Sequence, residues 1–162
     1  MNIYKYLILI ISIVMISCDG GLSPKPFSDK SFLSGKIIFS KGTDNWPPQD
    51  STYGIRVAAF KSMPDSNIIL SIISGEAYFT SESLPMYQDS VGFKLEIPDA
   101  PVNLVYIVAV WQFSESITDQ RVIGVYTISG NKNDNSELYI EKGKSYSIEI
   151  DVDFDDLPPM PF

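Results

Sequence analysis

Two short runs limit the fold before the rest of the chain is read. In VGFKLEI the side chains alternate, with Val91, Phe93, Leu95 and Ile97 on one side and Lys94 and Glu96 on the other. A period of two belongs to a strand with one wet face, because successive Cβ atoms point to opposite sides of a sheet. SYSIEIDVDF repeats the pattern, setting Tyr146, Ile148, Ile150, Val152 and Phe154 against Glu149, Asp151 and Asp153. A helix would scatter either set around its axis. LSGKIIFS contributes Leu33, Ile37 and Phe39 to a further face, and GIRVAAFK contributes Ile55, Val57 and Ala59.

Two other runs, VNLVYIVAVWQF from Val102 to Phe113 and RVIGVYTI from Arg121 to Ile128, are apolar on both faces. Such segments belong in the middle of a sandwich or under other elements. The pattern predicts an all-β fold, a single antiparallel β-sandwich of about seven or eight strands. Lys142-Gly143-Lys144 is expected to turn a hairpin whose second strand carries Tyr146 to Phe154. One segment departs from the pattern. PDSNIILSIISG offers Asp65 or Ser66 as an N-cap, Ile69, Ile72 and Ile73 at helical spacing and Gly75 as a C-terminal stop, so it predicts one short helix between strands. In the tail DDLPPMPF, Pro158, Pro159 and Pro161 remove donors and fix φ, so an irregular end packed back on the sandwich is expected.

The N-terminus carries Lys5 followed by LILIISIVMI, Ser17 and the chain's one cysteine, Cys18. The apolar run covers about 15 Å as a helix, against about 30 Å of hydrocarbon in a bilayer. It reads as a signal peptide rather than an anchor. Met15-Ile16-Ser17-Cys18 resembles the bacterial lipobox, which implies cleavage before Cys18 and acylation of its thiol and new amino group. The expected order is a signal peptide over 1–17, a lipid-anchored tether over 18–31, the sandwich over 32–156 and a Pro-rich tail over 157–162. Several acyl chains hold a protein to a bilayer far more firmly than the single chain that binds marginally. The expected location is the cell membrane or outer membrane, facing periplasm or exterior. Asp19 resembles the inner-membrane retention signal of enteric bacteria.

The succession Gly35-Lys-Ile37, Ile55-Arg-Val57-Ala-Ala59, Asp89-Ser-Val-Gly92-Phe93-Lys-Leu95-Glu-Ile97-Pro98, Tyr106-Ile-Val108-Ala109 and Ile140-Glu-Lys-Gly143 resembles the carboxypeptidase regulatory-like, or transthyretin-like, β-sandwich. The resemblance spans about residues 33 to 152. It implies a non-catalytic module of a secreted bacterial protein. It also implies a turn at Asp89 to Gly92 in which Gly92 takes positive φ. The connection KGTDNWPPQDSTY is longer than the family's usual short turn, and the helical segment near Ser66 to Ser74 is an insertion relative to the family pattern.

With no histidine, and Cys18 acylated, the usual zinc sites and Cys or His nucleophiles are excluded. No cofactor or metal is expected, and the chain is not expected to be an enzyme. Twelve basic against 20 acidic residues give a net charge of −8, which repels nucleic acid. Glu149, Asp151, Asp153, Asp155 and Asp156 form a row along a strand and its end, whereas a calcium site needs convergence on a point. The candidate ligand-binding residues are aromatic: Trp46 in a polar loop, and Tyr53, Tyr78 and Tyr87 near strand ends. Trp46 can equally cap one end of the sandwich, and Trp111 reads as core. The expected role is a structural or protein-binding module of the cell envelope. The alternative is a carbohydrate-binding domain using the exposed rings. Expected partners are the membrane, through the Cys18 lipid, and an envelope protein or glycan.

Overall fold

Alternating runs become strands wherever one of their faces finds a second apolar face. The computed structural model describes residues 29–65 and 68–162. The signal peptide, Cys18, the tether to residue 28 and the N-cap candidate Ser66 therefore lie outside the described residues. In chain order the strands are β1 (Ser31–Phe39), β2 (Gly54–Phe60), β3 (Ala77–Phe79), β4 (Ser90–Ile97), β5 (Val102–Leu104), β6 (Tyr106–Gln112), β7 (Gln120–Val125), β8 (Leu138–Ile140) and β9 (Ser145–Val152). Among the described residues one α-helix, α1 (Ile68–Ile73), lies between β2 and β3. Two 3₁₀ turns, Gly42–Asn45 and Gln49–Ser51, carry the long connection after β1.

The strands form an all-β sandwich. One layer is ordered β4-β1-β9, the other β3-β2-β6-β7, and β5 pairs with β8 in a small ribbon. Between the layers lie Leu33 and Ile37 from β1, Ile55 and Val57 from β2, Ile107 from β6, Ile123 from β7 and Ile150 from β9, each essentially inaccessible to water. Each such side chain contributes about 1.5–3 kcal/mol through burial. Val91, Phe93, Leu95 and Ile97 all face this core, as their alternation requires. Gly35 is needed for space: a Cβ there would overlap the Ile148 carbonyl and lie 2.8 Å from Phe93 Cζ.

The structure corrects four details of the sequence reading. First, not every pairing is antiparallel: β1 and β9 run parallel, with Phe32 opposite Ser145 and Phe39 opposite Val152. Second, Lys142 to Lys144 does not make a hairpin, because β8 pairs with β5 while β9 joins β1. The turn is anchored instead by Ser31, whose Oγ accepts from the Gly143 N–H at 2.9 Å and donates to the Glu141 carbonyl at 3.1 Å. That places Ser31, buried, inside the first strand and not in the tether. Third, Gly92 lies within β4 opposite Lys36, and the positive φ of this region belongs to Tyr87, at 57°. Fourth, β6 is central as expected, but β7 is the edge of its sheet.

The outer face of the four-stranded sheet is also apolar. Ala58 and Phe60 of β2, Tyr106, Val108 and Val110 of β6, and Val122 and Val125 of β7 form a second buried cluster there. The helix covers one part of it through Ile68 and Ile72, one helical turn apart. The C-terminal tail covers another part through Met160. Arg121 fixes that tail by donating from Nη2 to the Pro158 carbonyl at 2.8 Å. These coverings explain why β6 is apolar on both faces. The buried face of α1 is Ile68 and Ile72 rather than the expected Ile69, Ile72 and Ile73, and Ile73 is 76% exposed. The stop at Gly75 has the geometry that a left-handed C-terminal glycine provides. Gly75 has φ 78°, its N–H donates to the Ile72 carbonyl at 3.1 Å, and the Glu76 N–H donates to the Ser71 carbonyl at 2.9 Å.

Candidate functional site

The four aromatic candidates do not meet. Trp46 and Tyr87 do come together, at one end of the sandwich. Trp46 packs on Phe39 with ring centroids 4.3 Å apart, on Tyr87 at 5.0 Å and on Phe154 at 5.3 Å. Phe154 continues the cluster to Trp111 at 5.9 Å. The polar atoms of these rings are engaged as well. Trp46 Nε1 donates to the Gln88 carbonyl at 3.2 Å, Trp111 Nε1 to the Ser51 carbonyl at 3.1 Å and Tyr87 Oη to the Pro47 carbonyl at 3.4 Å. The cluster is a plug that ties the β1–β2 connection to both layers.

Tyr78 sits on β3 opposite Ala59, with its ring toward the inner core. Its hydroxyl donates to Asp99 Oδ2 at 3.2 Å, and Lys61 Nζ lies 2.8 Å from the same oxygen and 5.0 Å from the ring centroid. The hydrogen bonds from Lys61 and Tyr78 hold the Asp99 carboxyl below its ordinary range, and the bond to Asp99 raises Lys61. Loss of water around the Tyr78 ring pushes its hydroxyl up. Tyr53 alone among the four is exposed, and its backbone N–H donates to the Gln112 carbonyl at 2.9 Å.

In the acidic row, two residues face solvent and three are paired. Glu149 and Asp151 point outward from β9. Asp153 accepts from Asn45 Nδ2 at 2.8 Å and from the Asp155 N–H at 2.9 Å, which together with Lys41 lower its carboxyl. Lys41 Nζ lies 2.7 Å from Asp155 Oδ2, and Lys132 pairs with Asp156. Among the described residues no group of three or more Asp, Glu, Cys or His side chains is placed to hold a metal ion.

A different surface has the character of a binding site. Beside α1, the outer face of the four-stranded sheet is left partly uncovered, forming a groove of about 320 Å³. Its floor is Ala58 and Val110, one wall is Ile69, Ile72 and Ile73, and Phe79 and Ile117 border it. Phe79 is 43% and Ile117 57% exposed, and with Ile73 they lie together around one groove rather than scattered singly. Ile117 is held by a polar loop. Gln112 Nε2 donates to the Ser114 carbonyl at 2.9 Å, and Ser114 Oγ donates to Asp119 Oδ2 at 2.7 Å.

The groove's polar members are Arg56, Ser81 and Gln120. Arg56 is half-buried, and among the described residues no hydrogen bond or ion pair engages its guanidinium. Its nitrogens are reached by water, since no buried side-chain nitrogen or oxygen among those residues lacks a partner. A Cβ at Gly54 would come within 3.3 Å of Arg56 Nη1, so the glycine leaves the room that the guanidinium occupies. Sequence reasoning missed this site. Its signals were Arg56 standing at an outward position of an otherwise apolar strand, and an isoleucine-rich segment too hydrophobic for the one helix face it buries.

Among the described residues no helix is long and apolar enough to cross a membrane. Comparison of the chain with protein-family models, with curated proteins and with solved structures gives no match.

Proposed function

We propose that this chain is a lipid-anchored binding module of the bacterial cell envelope, without a catalytic step of its own, that presents the groove beside α1 to an apolar partner. The observation that carries the reading is the contrast within the groove, where exposed Ile73, Phe79 and Ile117 surround a guanidinium free of internal partners. Elsewhere the sequence candidates serve the fold. Trp46, Tyr78 and Tyr87 hold internal contacts, which weakens the glycan alternative; Asp153 and Asp155 share Lys41, Asp156 pairs with Lys132, and Glu149 and Asp151 face solvent. The lipobox resemblance supports anchoring through Cys18. Twelve residues separate Cys18 from the first strand, and an extended segment of that length reaches at most about 43 Å. Two layers of three and four strands are compatible with the transthyretin-like resemblance.

Metabolic labelling with an alkyne fatty acid tests the anchor. The full chain should take up label and sediment with membranes, and Cys18→Ala should do neither; label retained by Cys18→Ala would defeat the anchoring reading. For the groove, the neutral dye Nile red should brighten with the full chain and lose that response in Ile117→Asp. An unchanged response in that variant would place the apolar binding elsewhere. A tryptophan fluorescence response to millimolar sugar would restore the glycan reading.

A further inference from the structure

We infer that the groove takes a single aliphatic chain ending in a carboxylate, with the Arg56 guanidinium on the carboxylate; this rests on the groove being a binding surface. Charge is the first argument. The chain has only two arginines, Arg56 and Arg121, in a protein of net charge −8. Arg121 is engaged by the Pro158 carbonyl. Arg56 has no such partner among the described residues, although 20 acidic residues are present in the chain. A guanidinium is a planar fork that matches a carboxylate with two parallel hydrogen bonds, and an apolar surround strengthens that match.

Placement is the second argument. Arg56 and Ala58 are next-but-one neighbours on β2, about 6.6 Å apart along the strand. Gln120 pairs with Gln112, and Arg56 with Val110, so both polar residues lie toward the Gly54–Gln112 end of the sheet. Val110 lies beside Arg56 and Ile117 stands on the loop between Gln112 and Gln120, so apolar side chains flank the polar groups, and Ala58 and the isoleucines of α1 continue the apolar lining away from them. A carboxylate held at Arg56 therefore has apolar surface beside it for the attached chain. Size is the third argument. A volume of about 320 Å³ lies at the bottom of the roughly 300–1,000 Å³ range of ligand sites, suiting one chain of medium length rather than a two-chain lipid.

The test uses the full chain in lipid nanodiscs with two photoactivatable probes, a decanoate and the matching decanol, and maps the crosslinked peptides by mass spectrometry. The decanoate probe should label the segments that carry Ile69 to Ile73 and Ile117, and excess unmodified decanoate should compete. Arg56→Met should cut that labelling about tenfold, the scale of one lost charge-assisted pair, and leave decanol labelling unchanged. Arg56→Lys should restore part of it, and matching thermal unfolding of the variants excludes misfolding as the cause. The comparison of the two probes on the unaltered chain needs no variant at all. Equal labelling by acid and alcohol would overturn the carboxylate assignment while leaving the groove reading intact. Competition by a phosphate-headed lipid but not by decanoate would also overturn it. Absence of groove labelling with either probe would overturn both.

Discussion

The aromatic plug and the groove beside α1 are built from similar material and end in opposite states. Each is an apolar cluster at a margin of the sandwich with a few polar groups attached. In the plug, the indole N–H groups of Trp46 and Trp111 and the hydroxyl of Tyr87 all donate to backbone carbonyls of the same chain. In the groove, the guanidinium of Arg56 is left open to water beside exposed Ile73 and Ile117. A large ring in a polar loop therefore says less about binding than whether its polar atom has an internal partner. Groups already satisfied within the fold contribute to stability, and a ligand must displace them to use them.

Breaking the plug should have the largest effect. Trp46→Ala removes contacts to Phe39, Tyr87 and Phe154 and should destabilise the protein by about 3 kcal/mol in urea unfolding, while groove labelling of the folded fraction stays unchanged. A loss below about 1 kcal/mol would mean that the plug is not the structural half of the comparison.

Alkaline pH probes the floor of the outer face. Burial pushes Tyr106 up to about 12, above the ordinary tyrosine value near 10. Below pH about 10 both folded and unfolded states keep the proton, so the stabilisation is fully present. As pH rises toward 12 the unfolded chain ionises first, and stability should fall by on the order of 2 kcal/mol. Denaturation series across this window should show the loss, and Tyr106→Phe should shrink it. An identical slope in the variant would assign the alkaline loss to other groups.

Smaller effects separate the groove's wall from its charge. Gly75→Ala meets no neighbour within 4 Å, so its cost is the left-handed backbone alone, about 1 kcal/mol. Hydrogen exchange in α1 should accelerate by more than exchange in β1 does, and uniform acceleration would show that the helix opens only with the whole fold. The arginines should differ in the same sense. Arg121→Met loses the tail hydrogen bond and should cost about 1 kcal/mol. Arg56→Met, with no partner to lose, should stay within about 0.5 kcal/mol of the parent in the same unfolding assay. Equal losses would remove the distinction on which the groove reading depends.

The inner core was legible in the sequence because a strand facing a second sheet must alternate, and Val91 to Ile97 and Tyr146 to Val152 do so. Pairing was not. Whether β9 follows β8 in a hairpin or joins β1 in parallel depends on bonds such as those of Ser31 Oγ to Glu141 and Gly143, more than 100 residues away. The short helix and its glycine stop were visible, since end signals are local. Its orientation was not, because four isoleucines and a leucine in six positions leave the buried face to be chosen by the sheet beneath. The same ambiguity hid the groove. Its arginine stands out at an outward position of an apolar strand, but that no internal partner meets it is visible only once its surroundings are known.

The parallel union of β1 and β9 also governs when this protein can become itself. A chain delivered from its N-terminus presents β1 early, with Phe32 waiting for Ser145. Until the last strand arrives, one edge of β1 carries open backbone donors and acceptors, the state most prone to pairing with another chain. Contacts so distant along the chain form slowly. A protein interrupted before residue 145 would keep its first strand and lack the neighbour that closes it.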